Sequence, residues 1–350
     1  MGIVVAILVL SFLIFFHELG HFSAARFFGV TVEVFSIGFG RKMTSWRRGS
    51  TEYRIAMIPL GGYVKMKGQD DSDPTLVNTD NDSYTALHPF KRLVILAAGP
   101  LANLTLAFLL YSGAVSAGMT ILTPTVGKIA QDSPAALVLH SQDRILAIDS
   151  HPIQSWDDIG AYIRESNGSL TFRIQRVQQI LEVSITPKIA PVKTIFGETV
   201  FHRVIGIMPS GETTVIYPSW EEIPLIAIQK TYNASLLILQ SLEKLISGVV
   251  SVDNVGGVIS IVDVTAKVSA TGWQALALLT ALISVNLGIL NLLPIPALDG
   301  GHMMFTLYEM VTGHPPSQEI LYRLTLVGWG LLGSLMILGF YNDIMRLTHG

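Results

Sequence analysis

His17-Glu18-Leu19-Gly20-His21 is the stretch whose residue types and spacing could do chemistry first. On a helix, residues four apart share a face, so both imidazoles can reach one ion. Zinc suits this HExxH spacing, with the glutamate as general base. Zinc brings the pKa of a water it binds to about 7, and Glu18 lies where it can accept that water's proton. No Asp, Glu, Lys or Arg precedes Glu18, so three ionisable groups close an apolar run. Such groups are costly inside a membrane helix and are seldom present without a function. The competing readings are a buried polar cluster that binds helices together, or a proton pathway.

Two histidines leave a catalytic zinc short of a protein ligand, since three are usual. The stretch Asn291-Leu292-Leu293-Pro294-Ile295-Pro296-Ala297-Leu298-Asp299-Gly300-Gly301-His302 offers two candidates, Asp299 and His302. Two histidines with a carboxylate form a known hydrolytic zinc set, which favours Asp299. Pro294 and Pro296 break a helix and free carbonyls. Irregular chain is tolerated at membrane depth only where it is buried in protein or lines a cavity. Gly300 and Gly301 permit close backbone approach.

The elements that must position these residues are apolar. Of 350 residues, 50% are hydrophobic and only 14% charged, against about 25% charged in soluble domains. Mean hydropathy is +0.49. These figures argue against a water-soluble globular enzyme and exclude a disordered chain. A net charge of −3 gives no reason to expect a nucleic-acid partner. The absence of cysteine removes disulfides, thiol nucleophiles and cysteine metal sites. Uncharged runs occur before Glu18 and over residues 93–127, 268–298 and 324–342. A spanning helix needs about 20 apolar residues, so four transmembrane helices are predicted, in the segments 1–28, 93–119, 271–302 and 320–346. The third is expected to break at its prolines. A secretory signal peptide competes for the first segment, which lacks a positively charged start. Nine Lys and Arg residues fall in 29–92. The positive-inside rule puts that loop in the cytoplasm and both termini outside, together with residues 120–270. Within that outer segment, β-rich runs at 171–177 and 180–186 mark a soluble domain. Leu225, Ile228, Tyr232, Leu236, Leu239, Leu242, Ile246 and Val249 recur at helical spacing. They predict an amphipathic helix over 221–250, lying on the membrane, against substrate or on its own domain.

The combination of HExxH with Leu298-Asp299-Gly300 resembles the site-2 protease family, the intramembrane zinc metalloproteases. Ser36-Ile37-Gly38-Phe39-Gly40, Ile58-Pro59-Leu60-Gly61-Gly62-Tyr63-Val64-Lys65-Met66 and Ala98-Gly99-Pro100-Leu101-Ala102-Asn103 look like its bacterial regulator of sigma-E protease (RseP) branch. So does the run 291–301, with Asn286 upstream. Val126–Ile129, Ser133–Ala136, Asp143–Asp149 and Ser155–Asp158 resemble a PDZ domain. Where that family often has Gly-Leu-x-x-Gly-Asp, this chain reads Val138-Leu139-His140-Ser141-Gln142-Asp143. The space between helices two and three admits one PDZ domain, where well-known branch members carry two.

The resemblance implies that His17, His21 and Asp299 bind one zinc ion per chain and that Glu18 is the general base. It implies a membrane-associated β-hairpin over 53–66, around Gly61, Gly62 and Tyr63, whose edge strand pairs with an unwound substrate helix. Asn286, Asn291 and Asn103 would hold substrate backbone or polarise the scissile carbonyl, beside the Pro294 and Pro296 stretch. Interhelical hydrogen bonding is the other reading of the three asparagines. The expected fold is a polytopic α-helical membrane protein of four transmembrane helices. It carries a cytoplasmic-side hairpin within 29–92, an extracytoplasmic PDZ-like α+β domain over 120–190, and a linker with the amphipathic helix over 191–270. The expected function is intramembrane cleavage of single-span proteins, of anti-sigma factor type or remnant signal peptides, in a bacterial inner membrane. Partners would be the transmembrane substrate, lipid and a peptide or chain end at the PDZ-like domain. A non-catalytic PDZ scaffold and a metal or proton transporter are the competing functions.

Overall fold

Helix α1 (Gly2–Phe27) is apolar on all sides, yet it buries a narrow stripe: Ala6, Leu13, His17, His21 and Ala25. These residues recur at steps of four and seven, so a single face of the helix turns inward and carries both imidazoles. The computed structural model describes residues 1–69 and 78–349. Residues 70–77 of the loop expected over 29–92 lie outside the described residues. Two compact units result, Met1–Ala114 with Glu222–Gly350, and Val115–Glu221.

After α1 the chain forms two long antiparallel strands, β1 (Val32–Arg48) and β2 (Thr51–Met66). The sheet is larger than the hairpin expected over 53–66, because β1 supplies partners on both sides. Val34–Ile37 pairs with Lys65–Gly62 and also with Glu52–Ile55. Gly38 and Gly40, at φ of +91° and +83°, lie between Val34–Ile37 and the Lys42–Arg48 part of β1, which pairs with Ala56–Thr51. Residues 62–66 therefore form an edge, paired through 32–37. Met43, Trp46, Met57 and Ile58 of this sheet are exposed and apolar. Helix α2 (Pro89–Ser116) starts on a proline, whose missing N–H costs nothing at that position.

The second unit contains β3 (Met119–Leu122), β4 (Val126–Ile129), β5 (Arg144–Ile148), β6 (His151–Pro152), α3 (Trp156–Glu165), β7 (Leu170–Arg176), β8 (Gln179–Ile185), β9 (Lys188–Lys193), β10 (Thr199–Val204), β11 (Ile207–Pro209) and β12 (Thr213–Ile216). A four-stranded sheet in the order β6-β5-β7-β8 packs on α3 around Phe172, Ile145, Ile148, Ile159 and Ile174. Ser155 caps α3 in a capping box with Asp158. Residues expected to be linker belong to this unit: β11 pairs with β4, β12 pairs with β3, and Ile205 is in the core. The unit thus runs to Glu221 and not to residue 190.

The chain then returns to the first unit through α4 (Glu222–Ile246), α5 (Val258–Ser269), α6 (Trp273–Asn291), α7 (Asp299–Thr312) and α8 (Gln318–His349). Helix α4 is the amphipathic helix expected over 221–250. Its Ala227 and Ala234 pack with Ala107, Tyr111, Ala281 and Val285 of α2 and α6, so it rests on the helical unit. Helices α1, α2, α6 and α8 are long and apolar enough to cross a membrane. The stretch 271–302 is interrupted. α6 ends at Asn291, prolines occupy 294 and 296, and α7 starts at Asp299. Small residues let these helices touch: a Cβ on Gly20 would stand 2.2 Å from the Ala98 carbonyl, and one on Gly288 3.0 Å from that of Pro100.

Candidate metal centre

Two helices meet at one point in the helical unit. α1 brings His17 and His21, and the first residue of α7 brings Asp299. Asp299 Oδ2 lies 3.2 Å from His17 Nε2 and 3.4 Å from His21 Nε2, and the two Nε2 atoms are 3.3 Å apart. Both histidines are buried, and Asp299 Oδ2 is buried without a hydrogen-bond partner. Three atoms that can each offer a lone pair stand this close, one of them a carboxylate oxygen without a hydrogen-bond partner, as the ligands of one metal ion do. Ligands held tetrahedrally at about 2.0–2.1 Å from zinc stand about 3.3 Å apart, which is the spacing found. The donor set therefore fits zinc. His302 lies one helical turn beyond Asp299 on the cavity wall and is not a member of the cluster.

The backbone explains why Asp299 arrives there. A Cβ on Gly300 would stand 2.2 Å from the Leu293 carbonyl, and one on Gly301 2.3 Å from that of Ile295. The glycine pair thus lets the first turn of α7 fold back onto the 292–295 stretch. Ala297 takes φ of +133°, a strained value for a residue with a side chain. From α8, Gly328 presses on the Pro296 carbonyl, where a Cβ would stand 1.5 Å away.

The cavity beside the cluster is lined by Glu18, Gly62, Tyr63, Leu298, His302 and Trp329, among others. Gly62 brings the sheet edge onto α1, since a Cβ there would stand 3.2 Å from Glu18 Cγ. Gly61, at φ of +157°, abuts the Phe39 ring. The Tyr63 hydroxyl accepts from Arg54 Nη1 at 3.1 Å, and Arg54 also donates to Glu52 at 2.7 Å. Arg54 first and Lys42 second hold the Glu52 carboxyl down to about 2.

The structure does not bring every expected site residue to this cavity. Asn286 and Asn291 are half-buried on α6, Pro294 is exposed and Pro296 is half-buried; none is among the residues lining the cavity. Asn103, expected at the substrate, is fully buried, with its amide 3.2 Å from His17 Nδ1. Sequence reasoning missed Trp329 and the Ile95 carbonyl, which accepts from His21 Nδ1 at 2.9 Å. No motif marks a tryptophan within an apolar helix, and a backbone carbonyl has no letter of its own.

The chain matches Peptidase family M50 over residues 5–335. A Campylobacter jejuni protein named "Putative zinc metalloprotease Cj1068" is 46% identical, over 97% of this chain and 92% of that one. A Helicobacter pylori (strain J99) protein named "Putative zinc metalloprotease" is 40% identical, over 98% of this chain and 99% of its own. Among solved structures, the PDZ domain of the SdrC-like protein from Listeria monocytogenes aligns with 24% of this chain and 84% of its own, at 23% identity and a TM-score of 0.20. With its four membrane-length helices and its His-His-Asp cluster, the chain belongs to peptidase family M50, the site-2 type of intramembrane zinc metalloprotease.

Proposed function

We propose that the chain cuts transmembrane segments of single-span membrane proteins, of anti-sigma factor type or remnant signal peptides, in regulated intramembrane proteolysis. One observation carries the reading: three ligand atoms converge at 3.2–3.4 Å on a cavity that Glu18 also lines. His17, His21 and Asp299 hold one zinc ion, and Glu18 is the general base. Zinc, when bound, supplies Lewis acidity to a water and to the scissile carbonyl. Glu18 takes a proton from the attacking water and passes it to the leaving amide nitrogen as the C–N bond breaks. The products are a new carboxyl terminus and a new amine.

A helical substrate must expose its amides before they can be cut. The edge formed by residues 62–66 offers backbone groups to an unwound segment, with Gly62 and Tyr63 at the cavity. Gly61 supplies the turn into that edge. The stretch with Pro294 and Pro296 leads to Ala297 and Leu298 on the cavity wall and leaves carbonyls for substrate. Asn286 and Asn291 hold substrate backbone in this reading once substrate has entered from the α6 side. The basic 29–92 loop faces the cytoplasm of a bacterial inner membrane, and lipid surrounds the four helices. Both termini and the Val115–Glu221 unit face outward. That unit is read as a single PDZ-like domain that takes a peptide or chain end and controls access.

Glu18→Gln keeps the ring ligands and removes the base. Purified variant should retain about one zinc per chain, while cleavage of a membrane-embedded model substrate falls about a hundredfold or more. Cleavage at the wild-type rate would sink the mechanism.

A further inference from the structure

Helix α2 places three groups on one face, at steps of four: Ile95, Gly99 and Asn103. All three touch the ring ligands. The Ile95 carbonyl faces His21 Nδ1 at 2.9 Å. A Cβ on Gly99 would stand 2.1 Å from His21 Nε2, so only glycine lets the ring lie there. The Asn103 amide faces His17 Nδ1 at 3.2 Å. Its backbone is fixed in turn, because Ser284 Oγ donates to the Asn103 carbonyl at 2.7 Å.

Carbonyl and ring chemistry settle the tautomer of His21. A carbonyl only accepts, so Nδ1 carries the hydrogen and Nε2 presents a lone pair. His17 needs the same tautomer to present Nε2 to the cluster. Nδ2 is the Asn103 atom nearer the ring, and Asn103 Oδ1 is buried without a partner. Donation from Nδ2 to Nδ1 would leave the hydrogen of neutral His17 on Nε2, aimed at Asp299 and blocking the metal. A half-turn of the terminal amide leaves the shape of the side chain unchanged. It sets Oδ1 against Nδ1–H, satisfies the orphaned oxygen and bares Nε2. We infer that Asn103 is a positioning residue: its Oδ1 accepts from His17 Nδ1–H and holds that ring in the metal-binding tautomer. With Ile95 it makes α2 the outer support of both imidazoles.

The inference rests on the zinc reading, and its test is metal affinity, not turnover alone. Partners that orient a ligating histidine are worth about 10–100-fold in metal affinity. The full chain in detergent is titrated with zinc against a competing chelator, as wild type, Asn103→Leu and Asn103→Asp. Leucine matches the shape and cannot accept. Aspartate can accept and cannot donate. Asn103→Leu should bind zinc about 10–100-fold more weakly, and Asn103→Asp should stay near wild type, with cleavage following affinity. Undiminished binding by Asn103→Leu overturns the inference. So does a loss in Asn103→Asp, because that would make the amide N–H the group that matters. Should Asn103→Leu not fold, the aspartate variant decides by the same rule. A wild-type chain that binds no zinc overturns the metalloprotease reading together with this one, whereas normal wild-type binding with a failed Asn103 series overturns this one alone.

Discussion

At the scale of single residues, the cluster depends on absences as much as on ligands. Gly99 leaves the space that the His21 ring fills, and Gly20 lets α1 approach α2 closely enough for the rings to reach Ile95 and Asn103. A methyl group at position 99 would overlap Nε2 itself. Gly99→Ala should therefore turn His21 away from Asp299 and weaken zinc binding about tenfold or more, with the helical circular dichroism unchanged; wild-type affinity would show that the ring has another place to lie. The His17, His21 and Asp299 cluster was legible in two parts: the histidines from their spacing on a helix within an apolar run, and Asp299 from its place at the end of another uncharged run, beside prolines and glycines. Asn103 was legible as a polar residue in the right region but not in its role. Only the fold shows that it reaches a ring nitrogen and stays sealed from the cavity.

At the scale of elements, the break between α6 and α7 is what delivers the carboxylate. A continuous helix would carry residue 299 past the site; two prolines stop it, and the glycine pair turns it back. That break could be read from the prolines and glycines. The partner that anchors α7 could not: Glu309 pairs with Arg92 at the start of α2, across 217 residues of sequence, with both side chains mostly buried. Breaking a buried pair costs about 3–5 kcal/mol, because a charge is left without its partner. Arg92→Glu should lower the thermal midpoint of the detergent-solubilised chain and its zinc content together, and Arg92→Glu with Glu309→Arg should recover most of both. A double variant no better than the single one would mean that the pair does not set the position of α7. The sheet was only half legible for a related reason. Its second strand has the glycine-marked turn, but β1 takes partners on both sides, and the pattern of one strand does not announce two registers.

At the scale of the whole molecule, one chain builds a helical unit and interrupts it, between α2 and α4, with a unit that has its own core. Charge-free runs separated the two units in the sequence, because membrane-length apolar stretches cannot belong to a soluble fold. The end of the inserted unit was not legible, since β11 and β12 are short strands whose partners, β4 and β3, lie near its beginning. The turn that lacks its expected glycine shows how the unit tolerates divergence: Gln142 takes φ of +72° itself, and the next residue is locked in place. Asp143 is buried and accepts from Arg176 Nε at 2.8 Å, Arg176 Nη2 at 2.7 Å and the His140 N–H at 2.7 Å. Burial pushes its carboxyl up, but Arg176 and His140 pull harder, so it titrates below its ordinary value of 3.8. A carboxylate depressed in the folded state contributes stability that is complete above the unfolded pKa and is lost as pH falls through the folded one. Urea unfolding of the excised Val115–Glu221 unit should therefore have a midpoint that is level from neutral pH to about 5 and declines below about 4. Asp143→Asn should unfold at lower urea at pH 7 and lose that part of the acid decline, since no charge remains there to be neutralised. Acid declines of equal size in the two proteins would show that Asp143 and Arg176 contribute no linked stability.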